Sequence, residues 1–233
     1  MAWKDKKSVE TVKMLRDKFN VKCYIETGTF KGVGARFHAS NFEEVYTCEI
    51  VEEYYLHSKA KLEKYPNVRV FHQSSPDFLR DFVEKYRKDG RKDIIFVYLD
   101  AHFYDPTLPP EKRFVVLDEL RALNGFENCI IMIHDFDNNL GHITYDGQPM
   151  DLEFLKNDLL NVNKNFKFYT NEISGCDMYN EKTILDSGMV IDFETLDNVR
   201  FGNSTPRLNY RGILYAVPDE LGSEFTIRKI KNY

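Results

Sequence analysis

No uninterrupted apolar stretch in the 233-residue chain approaches the ~20 residues that a membrane-spanning helix requires. The opening MAWKDKKSVE has no apolar core of the secretory-signal kind. These two absences predict a soluble, cytoplasmic protein with no membrane partner. Cysteine is scarce: Cys23, Cys48, Cys129 and Cys176 show no CxxC spacing, which argues against a zinc ribbon and a disulfide framework. Three of the four sit in or beside apolar, strand-like runs, where a thiol behaves as a small hydrophobe. Basic charge is not in excess either. Lys and Arg number 32 against 37 Asp and Glu, a net charge of -5, and a field of that sign repels polyphosphates, so no nucleic-acid partner is expected. The one basic stretch, Lys85 to Lys92, reads as solvated surface at a helix end and the turn after it. Repeats, linkers and low-complexity segments are missing.

What the chain does have is enough apolar residue to close one core, with 42% hydrophobic and 14% aromatic, in a length short for two. One domain over residues 1–233 is expected. Short β-rich runs recur at Cys23–Ile25, Val45–Cys48, Val68–Phe71, Ile94–Leu99 and Cys129–Ile133, and helical patterns alternate with them. Helices are predicted from about Lys7 to Phe19, Val51 to Tyr65, Pro76 to Lys88, Glu111 to Leu123 and Asp151 to Asn161. The third has Phe78, Leu79, Phe82, Val83 and Tyr86 on one face, with Ser75 as its cap and Pro76 in its first turn. Ile94–Leu99 is apolar without alternation, as a strand covered on both faces requires, and is placed mid-sheet. Later strands are expected at Phe166–Tyr169 and Gly212–Val217. The sum is an α/β chain: a Rossmann-like, doubly wound, mostly parallel seven-stranded sheet with helices on both faces. The irregular stretch within 138–210 suits a substrate lid.

Function is most legible where strands end. The first runs Tyr24-Ile25-Glu26-Thr27-Gly28-Thr29-Phe30-Lys31-Gly32, an acid followed by a glycine loop and then a helix. Glycines permit close backbone approach, and a helix N-terminus offers N–H groups, which together suit a nucleotide-type ligand. The spacing is ExGxxxG. The GxGxxG pattern of nicotinamide enzymes is lacking, which argues against a dehydrogenase. The second strand ends in Glu49, 23 residues after Glu26, where a carboxylate can accept both ribose hydroxyls of an adenosine. Two further strand ends read Leu99-Asp100-Ala101-His102 and Ile133-His134-Asp135. In an open α/β sheet, ligands bind outside the carboxyl ends of the strands, so these four polar residues can share one crevice. Acids with imidazole could hold Mg²⁺ or another divalent ion that lowers the pKa of an acceptor hydroxyl; alternatively, a histidine acts as the general base. Any one of the four is more commonly a loop cap or a buried polar niche. Four at two central strand ends point to function. Phe103, Tyr104, Phe136 and Tyr145 are candidate walls of an acceptor pocket, and His38, His57, His72 and His142 read as structural.

On these residues the chain resembles the class I S-adenosylmethionine-dependent methyltransferases, in particular those acting on hydroxyls of sugars and glycosylated natural products (macrocin O-methyltransferase-like). ETGTFKG resembles that family's first cofactor motif. CEI is similar to its ribose-binding acid followed by an apolar residue against adenine, and HQSSPDF to its loop after the third strand. The resemblance covers Cys23 to Asp137, about half the chain. It implies S-adenosylmethionine held by Glu26, Gly28, Thr29, Gly32, Glu49, Ser74, Ser75 and Asp100, with Gln73 near the adenine. It also implies paired acids at the fourth and fifth strand ends. Asp100 and Asp135 match that pattern, whereas His102 and His134 stand where it has aspartate. The expected catalytic residues are Asp100, His102 and His134, and the expected metal ligands are Asp100, His134 and Asp135. The expected activity is O-methylation of a sugar, glycan or other small-molecule hydroxyl. The rivals are a non-catalytic cofactor-binding module and a metal-dependent hydrolase or oxygenase. An N-methyltransferase would carry an Asp/Asn-Pro-Pro-Tyr motif where this chain has Asp100-Ala101-His102-Phe103.

Overall fold

The computed structural model describes residues 6–101, 115–138, 150–171 and 212–230. Strands β1 (Cys23–Thr27), β2 (Glu44–Glu49), β3 (Val68–His72), β4 (Ile95–Leu99), β5 (Cys129–His134), β6 (Lys167–Thr170), β7 (Ile213–Val217) and β8 (Arg228–Lys229) pair into one sheet. Its order is β3-β2-β1-β4-β5-β7-β6-β8. The described helices are α1 (Lys6–Phe19), α2 (Val33–His38), α3 (Glu52–Leu62), α4 (Ser75–Lys88), α5 (Val115–Ala122) and α6 (Leu152–Val162).

The helices divide between the two faces, and the strand sequences explain how. In β1 and β4 every side chain is buried, so odd and even positions feed different cores. Cys23, Ile25, Val97, Leu99 and Ile131 pack with Leu79 and Val83 of α4, Leu120 of α5, and Leu155 and Leu159 of α6. Tyr24, Phe96, Tyr98 and Met132 pack on the other side with Val12 and Leu15 of α1, Ala35 of α2 and Leu62 of α3. The chain is thus wound on both faces, and β4 is central as expected. Cys23, Cys48 and Cys129 are free and buried, the hydrophobe role read from sequence; Cys176 lies outside the described residues.

Two corrections follow. The sheet is mixed and has eight strands, where seven mostly parallel ones were expected. β7 runs antiparallel to both β5 and β6 and lies between them, and β8 is antiparallel to β6. Alternation and composition identify a strand without giving its direction, and a two-residue charged strand leaves no periodic signal. The cap of α4 is Ser74, whose hydroxyl accepts from the Asp77 N–H, so the helix begins one residue earlier than predicted, at the buried Ser75. The 138–210 lid, apart from Asn138 and residues 150–171, lies outside the described residues, as do Phe103, Tyr104 and Tyr145. Among the described residues, no helix is long and apolar enough to cross a membrane.

Candidate active site at the strand ends

From β3 to β5 the order 3-2-1-4-5 places a switch point between β1 and β4, because the connections from these two strands lead to opposite sides of the sheet. Among the described residues, Gly28, Thr29, Glu49, Asp100, His134 and Asp135 lie along that edge. Gly28 and Thr29 donate their N–H groups to the Cys48 carbonyl at 3.0 and 2.9 Å, which folds the β1 loop against the end of β2. Glu49 completes this junction: its Oε2 accepts from the Phe30 N–H at 2.8 Å and its Oε1 from the Val51 N–H at 2.9 Å. The loop's N–H groups are therefore largely engaged with β2, and what it presents is a close backbone surface with few free donors. Each Glu49 oxygen keeps a second lone pair for another donor. Ile50, next in sequence, is 67% exposed, an apolar face beside that carboxylate. Gln73 reaches the same corner by donating its N–H to the Glu49 carbonyl, while the Ser74 hydroxyl is occupied in capping α4.

Two backbone positions in the loop require their residue type. Gly28 has φ +78°, and a Cβ there would lie 2.9 Å from the Asp100 carbonyl oxygen and the Ala101 Cα, so only glycine lets the β1 loop touch the end of β4. Phe30 also has a positive φ, +48°, which is costly for a bulky residue. Its bond to Glu49 and the edge-on packing of its ring on Tyr54 (4.7 Å) hold it there.

Glu26 is buried beneath the loop. Its carboxyl accepts from the Thr47 hydroxyl at 3.4 Å and from the Ala35 N–H, while burial and the nearby Asp100 push its pKa up to about 8. Gly34 makes room for it: a Cβ on Gly34 would overlap the Glu26 carboxyl. Sequence reading missed Gly34, although a glycine inside a helix costs about 1 kcal/mol and implies a packing reason. Gly34→Ala should raise stability on helix propensity alone. Displacement of Glu26 is expected to reverse the sign and lower Tm by several degrees in a thermal melt. A higher Tm would show that Glu26 has no fixed seat.

Beyond Gly28, Asp100 donates its N–H to Thr27 Oγ1 (3.1 Å) and accepts at Oδ2 from the Tyr98 hydroxyl (2.9 Å). Its Oδ1 lies 3.0 Å from His134 Nδ1, and Asp135 Oδ1 lies 3.1 Å from the same nitrogen. Carboxylates only accept, so Nδ1 carries the ring's proton and Nε2 is left as the basic nitrogen. Burial lowers the His134 pKa, against the raising effect of Asp135 and Asp100, which favours the neutral imidazole. Asp135 adopts φ +60°, a conformation that aspartate tolerates better than most residues. Asp100, His134 and Asp135 therefore do converge. The ring nitrogen fills the position between the two acids, and no group of three or more His, Cys, Asp or Glu among the described residues could hold a metal ion. Among the described residues, the cluster is not arranged as a divalent centre. His102 lies outside the described residues.

These shifts give the fold a pH dependence. Between about pH 4.5 and 8 the native state keeps a proton on Glu26 that the unfolded chain has released, so stability falls as pH rises through that window. His134 and His38, both with lowered pKa, act in the opposite sense: below about pH 6.5 the unfolded chain takes up protons that the native state refuses. Of these three groups, Glu26 contributes most from about pH 7 to 8, at up to about 1.4 kcal/mol per pH unit. Wild-type Tm should fall across that range and Glu26→Gln should hold level. Parallel slopes for the two proteins would place the buried proton elsewhere.

No protein-family model matches the sequence, and no characterised protein matches it significantly. Among solved structures, the chain is similar to the plantazolicin methyltransferase BamL in complex with a triazolic desmethylPZN analog and SAH (16% identity, 91% of this chain and 84% of that one, TM-score 0.48). It is also similar to the methyltransferase domain of bacterial CtHen1-CN (11%, 91% and 98%, 0.49). A third is the N-methyltransferase NodS from Bradyrhizobium japonicum WM9 (6%, 91% and 94%, 0.48). At these identities and TM-scores the superpositions transfer no residue role to this chain.

Proposed function

We propose that the chain is an S-adenosylmethionine-dependent methyltransferase whose acceptor is a hydroxyl of a sugar, glycan or other small molecule. The observation that carries this reading is the continuity of the strand-end site. Glu49, the Gly28 loop, Asp100, His134 and Asp135 are linked contact by contact across the switch point. The residues suit the cofactor. Glu49 retains lone pairs for ribose hydroxyls, Ile50 offers an apolar wall for the adenine, and Gly28 allows close backbone approach. Bound there, S-adenosylmethionine supplies an electrophilic methyl group. The chain itself aligns the acceptor oxygen, excludes water and removes the proton. His134 Nε2 takes that proton, while Asp100 accepts the Nδ1–H and the charges of Asp100 and Asp135 stabilise the resulting imidazolium.

A non-catalytic cofactor-binding module is the second reading, favoured by one observation: His134 is 4% exposed, as a satisfied buried histidine would be. Incubation with methyl-labelled S-adenosylmethionine and a panel of nucleotide sugars and glycosides separates the two. Label is expected in at least one hydroxyl acceptor. Cofactor binding with no transfer to any of the panel would favour the module, and transfer only to amines would refute O-methylation.

A further inference from the structure

Beneath the acid cluster, on the α1 face of the sheet, lies a small cavity lined by Ser8, Val9 and Val12 of α1, Tyr24, Tyr98 and Met132 of the sheet, and His38 of α2. Its interior offers about 10 Å³ to the centre of a water-sized sphere, close to the minimum for one water molecule. The walls are mostly apolar, but His38 breaks the pattern. Its ring is 5% exposed and packed against Tyr24 (centroids 4.3 Å apart), Phe37 and Phe42. Its Nδ1 is fully buried and meets no hydrogen-bond partner among the described residues. A buried imidazole nitrogen left without a partner costs about 1–3 kcal/mol, so the native state has reason to supply one. Three of the lining residues, Ser8, Tyr24 and Tyr98, carry hydroxyls. Tyr98 also reaches the site, since its hydroxyl donates to Asp100 Oδ2 at 2.9 Å and its ring meets His134 edge-on, centroids 6.3 Å apart.

We propose that this cavity is a binding site for one ordered water molecule, held by His38 Nδ1 and the surrounding tyrosine and serine hydroxyls, that ties α1 and α2 to the Tyr98–Asp100–His134 corner. Such a water has the two to four polar partners that buried waters show. It gives His38 its missing bond and braces Tyr98, and through it Asp100, from below. The neutral state of His38, whose pKa burial lowers to about 3, lets Nδ1 serve as either donor or acceptor to the water. The site stands independently of the proposed methyl transfer; only its bracing of Asp100 bears on that reading.

A high-resolution crystal structure of the wild-type protein, paired with water-to-protein NOE spectra on histidine-labelled protein, tests it. A single ordered peak within about 3.2 Å of His38 Nδ1, with a long-lived water cross-peak to the same ring, is the expected result. An empty cavity with no cross-peak overturns the proposal. His38→Phe adds a readout of opposite signs. It keeps the aromatic packing and fills the space, so a dry cavity with an unpaired nitrogen predicts a higher Tm. Loss of a hydrogen-bonded water predicts a lower one, by several degrees. Neither arm requires cofactor or acceptor, so failure here leaves the methyltransferase reading standing, and failure of that reading leaves the water site testable.

Discussion

Replacing His134 with glutamine is expected to slow methyl transfer by about 10²–10⁴-fold, the usual worth of a positioned general base, while cofactor affinity changes by less than a few-fold. The side chain sits at the carboxyl end of β5, with its Nδ1 between the carboxylates of Asp100 and Asp135 at 3.0 and 3.1 Å. Glutamine occupies comparable space but cannot take the acceptor's proton at neutral pH. Asp135→Asn is the companion variant. Asparagine accepts the φ of +60° that residue 135 requires, so the backbone is retained while one of the two carboxylates stabilising the imidazolium is lost. An intermediate loss of rate is expected. Initial rates with labelled cofactor, measured beside Tm for each variant, separate chemistry from folding. A His134→Gln protein that keeps its wild-type rate would show that His134 is only a buried polar residue.

The second large effect is expected at Glu49. Its carboxylate joins the β1 loop to the end of β2 through the Phe30 and Val51 N–H groups, and it is the acceptor proposed for the ribose diol. Glu49→Ala removes charge-assisted hydrogen bonds worth about 1.5–3 kcal/mol each, so affinity for S-adenosylmethionine should fall by at least about a hundredfold. The same change deprives Phe30 of the bond that holds it at φ +48°, so Tm should fall as well. Glu49→Gln keeps one carbonyl acceptor and should lie between. Titration of each variant with cofactor reads the first effect and a thermal melt the second. A lower Tm with unaltered affinity would make Glu49 a loop latch and nothing more.

The strand ends were legible because each apolar run stops at a polar residue whose position is fixed by the run before it. Glu26, Glu49 and His134 lie at the carboxyl ends of β1, β2 and β5, Asp100 and Asp135 directly follow β4 and β5, and a doubly wound sheet brings such positions to one edge. What lay beyond the sequence depends on contacts between elements. Nothing in GVGAR shows that Gly34 faces the Glu26 carboxyl, and nothing in IFVYLD shows that the Tyr98 hydroxyl turns to Asp100. The metal expectation had the same weakness. The ligand types were present, but whether two acids enclose an ion or an imidazole nitrogen is decided by side-chain placement, and here His134 Nδ1 lies between them. The apolar run of β7 marks it as a strand, yet its reversal between β5 and β6 is fixed only by pairing.

The central claim is that the site from Glu49 to His134 receives S-adenosylmethionine, and calorimetric titration of the wild-type protein with S-adenosylmethionine and S-adenosylhomocysteine tests it most directly. Saturable one-to-one heat for both ligands, weakened by Glu49→Ala, is the expected result. No heat from either ligand with a protein shown by its thermal melt to be folded would contradict the claim.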